Sequence, residues 1–486
     1  MKIDFNKYLD EIGEIGFVEK SVSSLVYASG LPGASPEEVV VFESGELGQV
    51  TALSESSVEI LSFSPNPIRT GSRIVRTNNC LKVPVGEELL GKVINPLGNS
   101  INPQKPFFPL AEQRSVEVVP PGIKFRSTIK RQCETGISMI DLLLPIGMGQ
   151  RELVMGDQKT GKSRVLTRIL LSQIKQGSVG IYAAVGKSQL AIKQIEEILA
   201  QFKILEKTVM VVSRADDAAG MIFLTPYTAM TIAEYFRDLG RDVLIVLDDL
   251  TVHARTVREI ALLGKRFPGR SSYPGDIFYT HARLLERAGN FIADGKEAAI
   301  TCLPVVETVQ GDMAGYIQTN IMSMTDGHLF FDHKLFVEGR RPAVDPFISV
   351  TRVGRQTQSV LQREISREII TFLRNADKMH NFASFGAELG EHIKKAFEKE
   401  DRIMTFFDQT VYDRIPVKLQ VFLFGLVWGE ALAGRTHLDV QKEIQKFVLL
   451  YEGDSKTREW VDKFVDGSLS LETLLSGIAE TDFSHR

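Results

Sequence analysis

The rhythm of apolar and polar positions changes twice along the chain and marks three regions. Between about residues 16 and 85, short apolar runs at 38–42, 48–51, 58–63 and 72–76 are separated by Gly, Pro, Asn and Ser. Short strands with frequent turn signals predict a small closed or nearly closed β domain. From about 122 to 354, strand-like apolar runs at 152–155, 180–184, 209–212, 243–247 and 298–303 alternate with amphipathic helical patterns at 162–176, 188–201 and 225–239. That alternation predicts a largely parallel sheet with covering helices. After about residue 356 the strand-like runs give way to charged, helix-favouring sequence through to residue 475, which predicts a helical domain. The stretch 95–121, rich in Pro and Asn, predicts an extended connection. There is no internal repeat and no low-complexity tract.

Composition narrows the class. At 486 residues the chain exceeds one ordinary domain, and about three are expected. Hydrophobic residues at 43% and charged residues at 24% suit a soluble globular protein with a large core. A net charge of −4 argues against binding nucleic acid through bulk electrostatics. Cys80, Cys133 and Cys302 are scattered without CxxC spacing, as expected of reduced, buried thiols in a cytosolic compartment. The first sixteen residues lack the basic start and apolar run of a signal peptide. The most apolar late stretch, 421–428, is short of the ~20 residues that span a bilayer. A soluble chain is expected, linked to a membrane only through partners.

One motif carries specific chemistry. Gly156, Asp157, Gln158, Lys159, Thr160, Gly161, Lys162 and Ser163 match GxxxxGK(S/T), with an apolar run before and a helical pattern after. Backbone N–H groups of such a turn surround phosphate oxygens at a positive helix N-terminus. Lys162 would reach the outer phosphates and Ser163 would hold Mg²⁺. The alternative is an ordinary turn between strand and helix. Further on, the run 243–247 ends in Asp248 and Asp249. Many parallel strands end in Asp, but beside a phosphate loop Asp248 becomes the expected Mg²⁺ partner, with Asp249 second.

Longer runs carry a family resemblance. QCETGISMIDLLLPIGMGQRE (132–152), LVMGDQKTGKS (153–163), PGRSSYPGDIFYTHARLLERAG (268–289), LPVVETVQGDMAGYIQTN (303–320) and SMTDGHLFFDHKLFVEGRRPAVDPFISVTRVG (323–354) are similar to alpha subunits of rotary F-type ATP synthases. VPVGEELLGKV (83–93) and NFASFGAELG (381–390) extend the resemblance over nearly the whole chain. It implies an N-terminal β-barrel (1–85), a RecA-like α/β nucleotide-binding core with a mostly parallel sheet (86–358) and a C-terminal helical bundle (359–486). It further implies ATP or ADP with Mg²⁺, and a ring alternating three such chains with three catalytic beta-type subunits. The ring would surround a central gamma shaft, with delta and a peripheral stalk attached. Such a complex, a proton-translocating ATP synthase or ATPase, would sit on the cytoplasmic face of the plasma membrane, held there by partner subunits.

The alpha-type assignment rests on a missing carboxylate. A catalytic subunit needs one after the second core strand to orient the attacking water. The run 180–187 ends instead in Lys187, so this chain's own site is expected to bind nucleotide without turning it over. The alpha pattern has an amide at this place and reads GDRQTGKT in the loop, so Lys187, Gln158 and Lys159 all depart from it. Either Lys159 and Lys187 add positive charge around the phosphates and reduce the need for Mg²⁺, or both point to solvent. Arg352 matches the arginine that alpha subunits deliver to the neighbouring beta site; the other reading is a surface ion pair.

Arg341, Pro342 and Gln409 match positions near the adenine base, and Val411 replaces a second glutamine there, which would loosen base selectivity. At the amino end, EKSVSSLVYASGL (19–31) stands where the family has a different barrel start, and Phe5–Ile12 would be a short helix in place of a longer one. The rival readings fare worse. A self-sufficient export-type hexameric ATPase needs a carboxylate at Lys187. A Rho-type RNA translocase needs clustered basic and aromatic residues in the barrel, where only Phe17, Tyr27, Phe42 and Phe63 occur without clustered Lys or Arg. A specialised rotary head without a membrane sector would suit the altered start.

Overall fold

Alternating apolar positions in the amino-terminal region close a sheet on itself. In the computed structural model, which describes residues 5–102, 112–293, 295–384, 391–409, 414–429 and 431–481, six antiparallel strands form a closed barrel. Their order around it is Ile15–Val22, Leu25–Ser29, Val58–Ser62, Leu47–Leu53, Glu38–Phe42 and Arg73–Cys80. Closure removes the free edges that an open sheet would expose. Val18, Val26, Val40, Phe42, Ile60 and Ile74 fill its interior. The helix Phe5–Ile12 forms as expected and covers the barrel wall, packing Phe5 on Val41 and Val75. Of the predicted connection 95–121, residues 103–111 lie outside the described residues, as does Val411.

The chain gathers into two compact units. The first (1–128, 177–308 and 312–325) holds the barrel and a parallel sheet. Its strands run in the order Lys296–Glu307, Val243–Asp248, Val179–Lys187, Thr208–Arg214 and Val93–Ile94, with Gly289–Ala293 antiparallel on Lys296–Glu307. Val243–Asp248 is buried at every position, which explains its unbroken apolar run. The helix Ala219–Asp238 begins before the expected position 225 and carries Pro226 in its interior. The Thr225 hydroxyl donates to the Met221 carbonyl in the turn that Pro226 interrupts (2.8 Å).

The second unit (129–176, 309–311 and 326–486) contains the parallel strands Glu152–Gly156 and Gly327–Phe331, with Val350–Thr351 antiparallel on the latter. Six helices follow among the described residues, from Val360–Ser384 to Leu471–Glu480. The apolar run noted at 421–428 is the core helix Val417–Trp428, buried from Leu419 to Val427. No helix among the described residues is long and apolar enough to cross a membrane.

A buried carboxylate ties that core helix to the segment before the phosphate-loop motif. Asp141 accepts hydrogen bonds from Thr135 N and Oγ1 (2.8 Å each), Gly136 N (2.9 Å) and Gln420 Nε2 (2.7 Å). Burial outweighs these donors and lifts its carboxyl from 3.8 to about 6. A carboxyl with a raised folded-state pKa contributes stability that is present below the unfolded value and lost as pH rises through the folded one. Urea unfolding is therefore expected to show Asp141 removing on the order of 3 kcal/mol between pH 4 and pH 7. Asp141→Asn should flatten that slope, and parallel profiles would count against the assignment.

Candidate functional site

In the second unit the strand Glu152–Gly156 delivers the glycine-rich turn and Lys162–Lys175 continues from it as a helix. Gly156 lies against Phe331, where an added Cβ would stand 2.4 Å from the Phe331 carbonyl oxygen. Gly161 caps the helix in the left-handed region at φ 91°. Both positions therefore require glycine, and the helix N-terminus opens directly behind the turn. The turn is braced from within: Thr160 Oγ1 donates to the Asp157 carbonyl (2.8 Å), and Gly311 N donates to the Asp157 carboxylate (3.0 and 3.1 Å). The buried Lys162 ammonium donates to the carbonyls of Gly156 (2.7 Å) and Asp157 (2.5 Å). Gln158, Lys159 and Ser163 are exposed. This is a cradle of backbone donors with a lysine at its edge, suited to a phosphate chain.

Two of the three residues expected near the base, Arg341 and Gln409, meet in the same unit. Gln409 N donates to the Arg341 carbonyl (2.8 Å), and Ser138 N donates to Gln409 Oε1 (2.7 Å). Gln409 is buried, so the ordinary-surface-amide alternative does not hold. Its Nε2 finds no partner among the described residues, which leaves a donor of the kind a ligand acceptor would satisfy. Arg341 stacks its guanidinium on Phe336 (3.8 Å) and donates to the Phe336 and Arg340 carbonyls, with Pro342 directly after it.

Arg352 follows the strand Val350–Thr351. Its backbone N–H donates to the Asp326 carbonyl (3.1 Å), while Arg151 grips the Asp326 carboxylate through its backbone N (2.9 Å), Nε (3.1 Å) and Nη2 (2.7 Å). Its side chain is exposed and forms no ion pair among the described residues. Beneath this corner lies Glu152, a residue that sequence reading passed over. Burial pushes its carboxyl well above the usual range; Gln150 and Arg352 pull it down and Asp326 raises it. A carboxylate at the buried start of an apolar strand was the signal that could have flagged it.

The first unit holds the strand-end carboxylates. Ala184 and Asp248 are level in the register of Val179–Lys187 with Val243–Asp248, and a register shift follows on the Thr208–Arg214 side between Ala184 and Lys187. Lys187 consequently folds over the strand ends, placing Nζ 2.7 Å from Asp248 Oδ1 and 3.6 Å from Asp249 Oδ2. Tyr182 Oη donates to Asp248 Oδ2 (2.7 Å). Burial works against the charged lysine, but Asp248, Asp249 and Glu307 outweigh it and raise its pKa. Burial likewise lifts Asp249 to about 6, opposed by Lys187, and Asp249 caps the helix Leu250–Leu263 through Val252 N (2.8 Å).

The expected pair of extra lysines therefore divides. Lys159 is exposed, whereas Lys187 is not a solvent-facing residue. Tyr182 was not foreseen, although a lone tyrosine in an otherwise aliphatic buried strand was a visible signal. Of the residues expected to hold Mg²⁺, Ser163 is exposed at its helix start in the second unit, and in the first unit Asp248 accepts from the Lys187 ammonium on one oxygen and from the Tyr182 hydroxyl on the other.

Comparison with known proteins agrees with the motif. Residues 136–351 match the model of the ATP synthase alpha/beta family, nucleotide-binding domain. The ATP synthase subunit alpha of Helicobacter pylori (strain HPAG1) is 38% identical over 418 residues, covering 85% of this chain and 82% of that protein. Those of Helicobacter pylori (strain Shi470) and Helicobacter acinonychis (strain Sheeba) are 37% and 38% identical, with the same coverage.

Proposed function

This chain belongs to the ATP synthase alpha/beta family, and from that premise we propose that it is a non-catalytic, nucleotide-binding alpha-type subunit of a rotary ATP synthase head. The observation that carries the non-catalytic reading is the ion pair of Lys187 with Asp248 at 2.7 Å. A catalytic site requires at this strand end a carboxylate that orients water. A charged ammonium bound to a carboxylate accepts no proton and cannot take that role.

In this reading ATP or ADP lies with its phosphates in the loop Gly156, Asp157, Gln158, Lys159, Thr160, Gly161, Lys162 and Ser163. The base lies toward Arg341, Pro342 and Gln409, an assignment supported by the backbone contact between Gln409 and Arg341. Arg352 acts in trans at the site of an adjacent beta-type subunit, where a guanidinium neutralises charge on the transferred phosphoryl group. Its exposure and its braced backbone support that role. The ring alternates this chain with three beta-type subunits around a gamma shaft, with delta and a peripheral stalk, and meets the cytoplasmic face of the plasma membrane through them. Its coupling to proton transport belongs to the same proposal. The division into barrel (1–85), nucleotide-binding domain (86–358) and helical bundle (359–486) is part of it too, supported by barrel strands that end at Cys80 and helices that begin at Val360.

ATP turnover of the chain alone, and after mixing with its cognate beta-type subunit, tests the assignment. No turnover alone and steady turnover in the mixture are expected. Robust hydrolysis by the isolated chain would require another group in place of the missing carboxylate, and the reading would fall.

A further inference from the structure

The proposed function gives no role to Arg237, in the last turn of the helix Ala219–Asp238. Its Nε and Nη2 donate to Asp238 Oδ1 (2.8 and 2.6 Å). Its Nη1 is buried and finds no partner among the described residues. The helix end does not use it as a cap. There the Tyr235, Phe236 and Arg237 carbonyls accept from the backbone N–H groups of Leu239, Arg241 and Gly240 (3.2, 3.1 and 2.8 Å). A guanidinium N–H withdrawn from water without an acceptor is costly, which leaves a place for an acceptor from outside the chain.

Arg237 lines a cavity of about 150 Å³ together with Asp238 and Gly240 at the helix end and Phe291, Lys296 and Ala298 of the neighbouring strands. Phe291 stands opposite Ala298 in the antiparallel ladder of Gly289–Ala293 with Lys296–Glu307. Lys296 and Ala298 are two positions apart, so all three share one face of that ladder. The small side chain of Ala298 leaves open the space between them. Arg126 and Arg237 both lie over the Phe291 ring, 5.1 and 4.7 Å from its centre, which fixes the plane of Arg237 before any ligand arrives.

The charge around this cavity is positive. Lys296 is exposed and forms no ion pair among the described residues. Asp238 also lines the wall, but Arg237 holds its Oδ1 and Arg114 Nη1 its Oδ2 (2.6 Å). Three cations, Arg114, Arg237 and Lys296, are thus set against that carboxylate. Glu297 lies on the other face of its strand, where it accepts from Asn290 Nδ2. The volume is about five times the ~30 Å³ share of one water molecule, which admits an anion of phosphate size. It falls short of the roughly 300 Å³ at which pockets for larger organic ligands begin, so a nucleotide does not fit.

We propose that this cavity binds a free oxyanion of phosphate size, with Arg237 Nη1 and the Lys296 ammonium as its charged donors. Phosphate carries more than one negative charge at neutral pH and matches two cations better than a monocarboxylate does. Every residue of the site belongs to the first unit, and nothing in it depends on the reading of the glycine-rich turn.

The test is calorimetric titration of the full chain with inorganic phosphate at fixed ionic strength, with ADP and Mg²⁺ in excess to occupy the glycine-rich turn. Wild type is expected to bind with a dissociation constant of about 1 mM or below. Lys296→Met should weaken binding by about tenfold or more at an unchanged melting temperature, and Lys296→Arg should stay within about threefold of wild type. Arg237→Lys keeps the charge but lacks the second fork nitrogen, and should also lose about tenfold. Acetate should bind at least about tenfold more weakly than phosphate. No phosphate binding by wild type below about 10 mM overturns the inference and leaves the cavity to water. Unchanged affinity in Lys296→Met overturns it too, because the phosphate is then an adventitious ion only. Acetate bound as tightly as phosphate overturns the assignment to a phosphate-like anion.

Discussion

Replacing Arg352 by alanine is expected to lower ATP turnover of the reconstituted ring by about a thousandfold, the lower end of what an arginine acting on a transferred phosphoryl group contributes. The loss should come without a loss of fold. The backbone at this point is fixed by other residues: Gly327 pairs with Thr351 and His328 with Val350 in the antiparallel ladder, and Asp326 accepts from Arg352 N while Arg151 holds its carboxylate. The side chain beyond Cβ is exposed and carries no ion pair among the described residues, although its charge acts on the buried Glu152 carboxyl, so truncating it should cost no more than about 1 kcal/mol. Lysine at this position keeps the charge but loses the planar fork, and Lys substitution should recover only a small part of the rate. Turnover of rings matched for assembly by size-exclusion chromatography is the measurement. A drop of less than about tenfold in intact rings would remove Arg352 from the partner's chemistry.

The largest stability effect is expected at Arg287. This guanidinium is 1% exposed. It donates Nε to Glu234 Oε1 (3.0 Å), Nη2 to Glu234 Oε2 (2.6 Å) and Thr231 Oγ1 (2.9 Å), and Nη1 to the Val116 carbonyl (2.9 Å). A two-pronged pair of this kind joins the segment after the helix Ile277–Leu285 to the helix Ala219–Asp238 and to the chain at Val116. Arg287→Ala strands the Glu234 carboxylate, itself 8% exposed, and should cost about 3–5 kcal/mol of unfolding free energy in urea. Removing both charges with apolar residues of similar volume, Arg287→Met with Glu234→Leu, should restore most of that loss, because the penalty lies in the unpaired buried charge and not in a missing attraction. A loss below about 1 kcal/mol for Arg287→Ala, or a double variant as unstable as the single one, would contradict this account.

Much of the architecture is legible in short windows of sequence. Burial of a strand on both faces writes an unbroken apolar run, and 243–247 is found as Val243–Asp248. The phosphate loop is legible for the same local reason: its glycines are demanded by backbone geometry within a few residues, as the left-handed φ of Gly161 shows. The helix Phe5–Ile12 and the helical region after the core are equally local, set by periodicity and charge. Where local signals conflict, reading is less accurate. The amphipathic pattern placed a helix at 225–239, yet the helix runs from Ala219 with Pro226 in its interior.

The character of the site was settled by contacts between residues distant in the chain. Lys187 could be recognised in sequence as a lysine where the family has an amide, but not as the partner of Asp248. That pairing depends on the register that sets Ala184 level with Asp248 and on the shift that follows Ala184. Tyr182 and Asp248 meet for the same reason, as do Gln409 and Arg341 in the other unit. Local pattern therefore determined which elements form and where the glycine-rich turn lies. Only the folded chain decided which charges neutralise one another, because a buried charge is governed by the groups within a few ångströms of it, whatever their separation in sequence.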